Sequence, residues 1–85
     1  MPAFVALLRG VNIGKARRVP MVEFRSTLTG LGYTSVATLL NSGNAVFRSR
    51  ARSGSACATA ITRALADRFG FDVPVVVKSV QELSA

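Results

Sequence analysis

The sequence predicts one small α+β domain whose elements follow the order strand, helix, strand, strand, helix, strand. Two stretches carry apolar residues at the spacing of three and four that places them on one face of a helix. Four shorter apolar runs, bounded by turn residues, have the length of strands. The chain has 85 residues, of which 49% are hydrophobic, and a chain of this size forms a single core.

The first half of the chain is predicted to form a strand, a helix and a second strand. Residues 3–8 are a short apolar run followed by a turn that contains glycine, which is typical of a strand. We predict helix one over residues 20–31, because proline suits the first helical position and Gly32 follows as a C-terminal cap. Its apolar face is formed by Met21, Phe24, Leu28 and Leu31. Residues 34–40 are rich in β-formers and are predicted to be strand two.

The second half is predicted to form the return strand of a hairpin, a helix and a last strand. Turn residues at 41–44 connect strand two to strand three, over residues 45–48. Helix two is predicted over residues 55–69, and its apolar face is formed by Ala58, Ile61, Leu65 and Phe69. Strand four is predicted over residues 73–78. Because Pro74 cannot donate a hydrogen bond to a neighbouring strand, strand four is expected at a sheet edge.

This order of elements is that of the ferredoxin-like, or split β-α-β, fold. The fold has a four-stranded antiparallel sheet in the order four-one-three-two, with both helices on one face. In that topology the end of strand one and the turn after strand two lie at the same edge of the sheet. We therefore expect a polar binding edge, although turn formation alone also explains its Gly and Asn residues. Its members are Arg9, Gly10, Asn12, Gly14, Asn41, Ser42, Gly43 and Asn44.

The strongly basic composition raises the possibility of an anionic partner. Eleven Lys and Arg residues against four Asp and Glu residues give a net charge of +7, which is large for a domain of this size. The candidate anion contacts are Lys15, Arg17, Arg18, Arg48, Arg50 and Arg52. The topology places them at two opposite ends of the molecule, so nucleic acid is a possible partner but not the favoured one. Phe4 and Phe47 occupy strands that stack bases in RNA-recognition domains, but core packing explains both.

The residue types present disfavour most catalytic chemistries. The chain contains no His, so it has no Ser-His or Cys-His pair, and its acidic residues are not spaced as a paired-carboxylate site. A single cysteine, Cys57, cannot form an internal disulfide and is predicted to be a small buried group. We expect no cofactor and no metal, no membrane span, and a cytoplasmic location. Only three residues separate Gly10 from Gly14, whereas a phosphate-binding P-loop has four residues between its glycines, so these glycines do not form one.

One face of the predicted sheet is expected to need a partner. If Arg9 and Arg48 point away from the helices, the same face carries Val5, Leu7 and Val46, and such a face is more often covered than left to water. Residues 79–85 match the start of a helix through a capping box. We expect a domain over residues 1–78 and, at 79–85, a truncated helix or a linker to a missing second half.

Two motifs resemble those of a widespread bacterial family, the domain of unknown function 1697. They are residues 7–14, which read LLRGVNIG, and residues 41–47, which read NSGNAVF. The resemblance implies a ferredoxin-like fold and family members about twice this long, with no established activity. The chain departs from the family pattern at Lys15, where a glycine is common, and at Asn41, where glutamine is usual. The motif residues that carry over are Arg9, Gly10, Asn12, Gly14, Ser42, Gly43 and Asn44.

Three functional hypotheses follow from these observations. The first is a non-catalytic binding or protein-interaction module whose partner is the missing C-terminal half or a second subunit over the open sheet face. The second is a basic nucleic-acid-binding domain. The third is half of an enzyme whose site needs the missing C-terminal half, with Arg9 binding an anionic substrate.

Overall fold

The chain folds into one antiparallel sheet with two helices packed on it. The computed structural model describes residues 2–11, 18–39, 43–50 and 53–81. The elements are β1 (Ala3–Leu8), α1 (Met21–Gly30), β2 (Thr34–Leu39), β3 (Asn44–Arg48), α2 (Gly54–Phe69) and β4 (Val75–Ser79). The strand order is β2-β3-β1-β4, and each neighbouring pair is antiparallel. The predicted ferredoxin-like α+β fold is confirmed, and so is the position of β4 at an edge.

The core lies between the helices and one face of the sheet. Alternate residues of β1, namely Phe4, Ala6 and Leu8, are buried, as are Ala45 and Phe47 of β3. Successive side chains of a strand point to opposite faces, so these five share the face on which the helices pack. Of the described elements, none packs on the other face.

Both helices present the predicted apolar face to the sheet. In α1 the buried residues include Met21, Phe24 and Leu28, while Ile61 and Leu65 are fully buried in α2. The Ser53 hydroxyl accepts a hydrogen bond from the Ala56 amide and caps α2, and Gly70 ends that helix at a φ of 77°. Among the residues that the structure describes, no helix combines the length and the hydropathy needed to cross a bilayer.

Several predicted boundaries are wrong by one or two residues; for example, α1 ends at Gly30 rather than at residue 31, and β3 begins at Asn44 rather than at residue 45. Pro20 precedes α1 as its N-cap, because its ψ of 138° is extended rather than helical. Helix α2 begins at Gly54, one residue earlier than predicted. Strand β4 begins at Val75 rather than at residue 73. Val73 is only 1% exposed, so its side chain packs in the core although the residue lies before the strand.

Strand β2 contains an irregularity that the sequence did not indicate. The pairing of β2 with β3 shifts between Thr34 and Ala37, and Ser35 between them has a φ of 52°. A bulge of this kind bends the strand and disrupts the regular ladder. Because β2 is an edge strand, the bulge makes it a poorer template for pairing with a further strand.

Candidate functional site

The end of β1 lies against the turn that connects β2 and β3. The Leu8 amide donates to the Gly43 carbonyl at 2.8 Å, and Leu7 is directly opposite Asn44 in the register. Gly43 is buried, has a φ of +80°, and a Cβ on it would lie 3.0 Å from the Leu8 Cβ and 3.2 Å from a methyl group of Val11. Glycine is therefore strongly favoured where these two segments meet.

Arg9 directly follows β1, on the side of the sheet where β4 begins. Its amide donates to the Pro74 carbonyl at 3.0 Å, which holds its backbone to the segment before β4. Its side chain is exposed, and Gly10 then turns the chain at a φ of 67°. The backbone of Arg9 is thus anchored while the guanidinium faces water.

The predicted polar edge is described in part. Arg9, Gly10, Gly43 and Asn44 lie together at the end of β1, as the topology predicted. The other predicted members, Asn12, Gly14, Asn41 and Ser42, lie outside the described residues. Whether this edge binds a ligand stays a prediction.

The candidate anion contacts are distributed over the molecule. Arg18, Arg48 and Arg50 are exposed, whereas Lys15, Arg17 and Arg52 lie outside the described residues. Asn44 and Arg48 begin and end β3, so about 13 Å of strand separates Arg48 from the polar edge at the usual rise per residue.

The face of the sheet turned away from the helices has an apolar centre. Val5 is opposite Val46 on one side and Lys78 on the other, and Leu7 is opposite Asn44 and Val76. Paired residues of antiparallel strands point to the same side of the sheet. We call this surface the open face; its residues include Val5, Leu7, Asn44, Val46, Arg48, Val76 and Lys78. The four apolar members are half-buried or, for Leu7, 36% exposed.

Cations border the apolar centre of the open face. Arg9 stands at one end of β1, and Arg48 and Lys78 lie toward the other end, all three exposed. None of the four strands contains Asp or Glu. Acidic groups of the described residues occur in the helices, where Glu23 approaches Arg68 at 3.9 Å, and at Asp72 before β4. The strands therefore contribute only positive charge to the open face.

Two residues of the open face were not predicted as functional. Val76 and Lys78 belong to β4, where Val77 is 8% exposed and faces the core. The alternation around Val77 would have placed both neighbours on the opposite face, beside Val5 and Leu7. A run of valines hides this signal, because every position in it is apolar until Lys78.

The aromatic residues are assigned to the core rather than to base stacking. Phe4 and Phe47 are 2% and 1% exposed, and their ring centroids are 5.8 Å apart. Tyr33 stacks on Phe47 at 4.5 Å. All six aromatic residues of the chain are described, and each lies in the core or packs against it. The preference for core packing over RNA stacking is confirmed.

Cys57 and Tyr33 are neighbouring titratable groups on the helix side. Cys57 is fully buried, as predicted. Burial, reinforced by the neighbouring Cys57 thiol, raises the pKa of Tyr33 above its ordinary value. Among the described residues, no three His, Cys, Asp or Glu side chains cluster closely enough to hold a metal ion.

A groove of about 440 Å³ runs between the start of α2 and the outer edge of β4. Ser53 and Ser55 line it, but the Ser53 hydroxyl already caps the helix. Gly54 packs so closely on the backbone of β4 that a Cβ would lie 2.6 Å from the Val77 carbonyl oxygen. The start of α2 thus shields the outer edge of β4 at Val77 against pairing with another strand.

Comparisons with known proteins agree with the fold and extend the sequence resemblance. The chain is similar to a solved structure of the conserved bacterial protein SP0830 from Streptococcus pneumoniae, with a TM-score of 0.85 and 29% sequence identity. The match covers 98% of this chain and 46% of that one, so the chain spans less than half the length of this relative. No curated protein matches the chain. A family model described as "Protein of unknown function (DUF1697)" matches residues 1–85, and the chain therefore belongs to the DUF1697 family.

Proposed function

We propose that this domain is a non-catalytic protein-interaction module that binds another folded domain through its open face. The observation that carries this proposal is the apolar centre formed by Val5, Leu7, Val46 and Val76 on the side of the sheet away from the helices. These side chains add nothing to the core described above, which lies on the opposite face. Contiguous apolar surface of this kind is typical of interaction sites.

The open face is well suited to docking because its backbone is already fixed. Val5 and Leu7 belong to β1, which pairs with a strand on each side. The Val5 side chain is half-buried by its neighbours, and Leu7 is 36% exposed. These side chains are already partly restrained, so they lose little conformational entropy when a partner packs on them. Covering them removes apolar area from water, which contributes roughly 25 cal/mol per Å².

Two kinds of partner are consistent with this function. One is a second domain on the same polypeptide, as the length of the pneumococcal relative allows. The other is a separate subunit. We place the module in the cytoplasm, since a reducing compartment suits a chain whose only cysteine is an unpaired thiol. The proposed function requires no cofactor.

The second candidate is nucleic-acid binding, which the exposed cations favour. Arg9, Arg48 and Lys78 share one face, and Arg50 follows Arg48 closely. Phosphate contacts are strongest at low ionic strength. A fluorescence titration with a labelled oligonucleotide at about 50 mM salt distinguishes this candidate, because absence of binding there excludes it.

Site-specific photo-crosslinking tests the interaction function. A benzophenone amino acid replaces Leu7 at the centre of the open face or, as control, Val22, which is 78% exposed on α1. In cells, we expect the probe at position 7 to cross-link to one defined protein surface. The substitution Val46→Asp in the same chain should abolish this cross-linked product. Circular dichroism establishes that each variant is folded. Equal cross-linking at positions 7 and 22, or none at position 7, contradicts the proposal.

A further inference from the structure

Resting on the interaction function proposed above, we infer that the partner of the open face is a folded protein surface with an apolar centre bordered by Asp and Glu. The inference specifies the chemistry of the partner. It disfavours a second copy of this domain and nucleic acid as the partner. It follows from the placement of charge and of aromatic rings on the sheet.

The first step is the arrangement of residues along β1. Val5 and Leu7 form the middle of the open face, flanked by Val46 on β3 and Val76 on β4. The register places Lys78 beside Val5, while Arg48 is opposite Ala3, the first residue of β1.

At its other end β1 leads directly into Arg9, which is held to Pro74. Cations therefore border the apolar centre at both ends of β1. An interface that covers the centre also meets this border.

A second copy of this domain is a poor partner for the open face. In a two-fold dimer the same face is presented by both subunits. Each open face would then bring Arg9, Arg48 and Lys78 toward a surface whose strands contain no carboxylate. Each copy also carries a net charge of +7. Juxtaposed like charges suppress association, so a partner with carboxylates at its border is favoured.

Nucleic acid is a poor match for the open face. Phosphates would neutralise the border, but proteins that bind single strands combine a basic groove with aromatic rings on which bases stack. All six aromatic residues lie in or against the core on the helix side. A phosphate backbone would also leave the apolar centre without apolar contacts, whereas a protein surface can match centre and border together.

The length of the pneumococcal relative shows where such a surface can come from. More than half of that chain lies outside the region matched here. A domain tethered to this one faces it at a high effective concentration, roughly millimolar for a short flexible linker. A modest acidic border would then be sufficient for docking.

A charge-reversal experiment tests the inference, with the purified polypeptide that cross-links at position 7 as the probe. The double variant R48E/K78E reverses the border, and R25E/R63E reverses two exposed arginines on the helices. Both pairs change the net charge equally, so the comparison separates the border from overall charge. We expect R48E/K78E to weaken binding by about tenfold or more at low salt, and R25E/R63E by about threefold at most. Replacing the facing carboxylates of the probe with lysine should restore binding to R48E/K78E.

The outcomes separate this inference from the function on which it rests. If Val46→Asp abolishes binding but the two charge reversals act equally, the interaction function stands and the acidic border is wrong. If the cross-linked polypeptide is a second copy, or if an oligonucleotide displaces the probe, the inference is also overturned. Should R48E/K78E fail to fold, R48Q/K78Q replaces it, with a smaller expected loss. If position 7 gives no selective cross-link, the proposed interaction function itself is wrong.

Discussion

The two faces of β1 carry equally apolar side chains but have different environments. Phe4 and Leu8, on the helix side, are 2% and 6% exposed, whereas Leu7 on the open face is 36% exposed. The helix side is closed by two helices, and the other side is bordered by cations. Stability and recognition are therefore assigned to opposite faces of the same strands, and substitutions one residue apart should affect one property and spare the other.

The largest effect is expected from truncation on the helix side. Phe47→Ala removes a ring that is 1% exposed and stacks on Tyr33 and Phe4, and the cavity should lower the free energy of unfolding by about 3–5 kcal/mol. Val46→Ala, its neighbour on the open face, should lower it by about 1 kcal/mol or less, because Val46 is only partly buried. Urea denaturation followed by circular dichroism measures both. Equal losses would mean that the two faces are not distinct.

An intermediate effect is expected at the turn glycine that meets β1. Gly43→Ala should lower the free energy of unfolding by about 2 kcal/mol, since it combines a positive φ with a Cβ 3.0 Å from the Leu8 Cβ. Gly32→Ala has a comparable φ of +89° but open space around the new methyl group, so about 1 kcal/mol is expected. The difference between the two unfolding free energies isolates the close contact at the sheet edge. If Gly32→Ala costs as much as Gly43→Ala, backbone conformation alone explains both values.

The sequence predicted the strand order because the order of its elements is that of the ferredoxin-like fold. Pro74 agreed with an edge position for the last strand, and β4 is an edge strand although it begins one residue after that proline. The Gly and Asn residues of the hairpin turn indicated where β3 returns. The short length of the first apolar run indicated that β1 is a strand, and the side chains of a strand alternate between its two faces. The helix faces followed from spacing alone, with Phe24 and Leu28 buried as predicted.

The features that were missed depend on contacts between distant segments. The bulge at Ser35 requires the register of β2 against β3, which neither strand specifies by itself. Val73 was assigned to a strand because it is apolar, yet it fills the core beside the start of β4. Lys78 joins the border of the open face only because Val77 points inward. For the candidate site, local patterns therefore identified Arg9 and Asn44, and pairing was needed to add Val76 and Lys78.

The smallest effect is expected from the burial of Tyr33 on the helix side, which makes stability depend on pH. Burial, with the neighbouring Cys57 thiol, raises its pKa above the ordinary 10.0. The folded chain then holds the phenolic proton more tightly than the unfolded chain does. The resulting stabilisation is complete below pH 10 and is lost progressively above it, as the unfolded state loses that proton first.

Because Tyr33 is the only tyrosine and the chain has no tryptophan, phenolate absorbance in the near ultraviolet reports on this residue alone. The native curve should lie at higher pH than the curve in concentrated guanidinium chloride. Tyr33→Phe should lose less stability on raising the pH beyond 10 than the unchanged chain does. Coincident titration curves would show that the helix side is open to water at Tyr33, which would weaken the contrast between the two faces of the sheet.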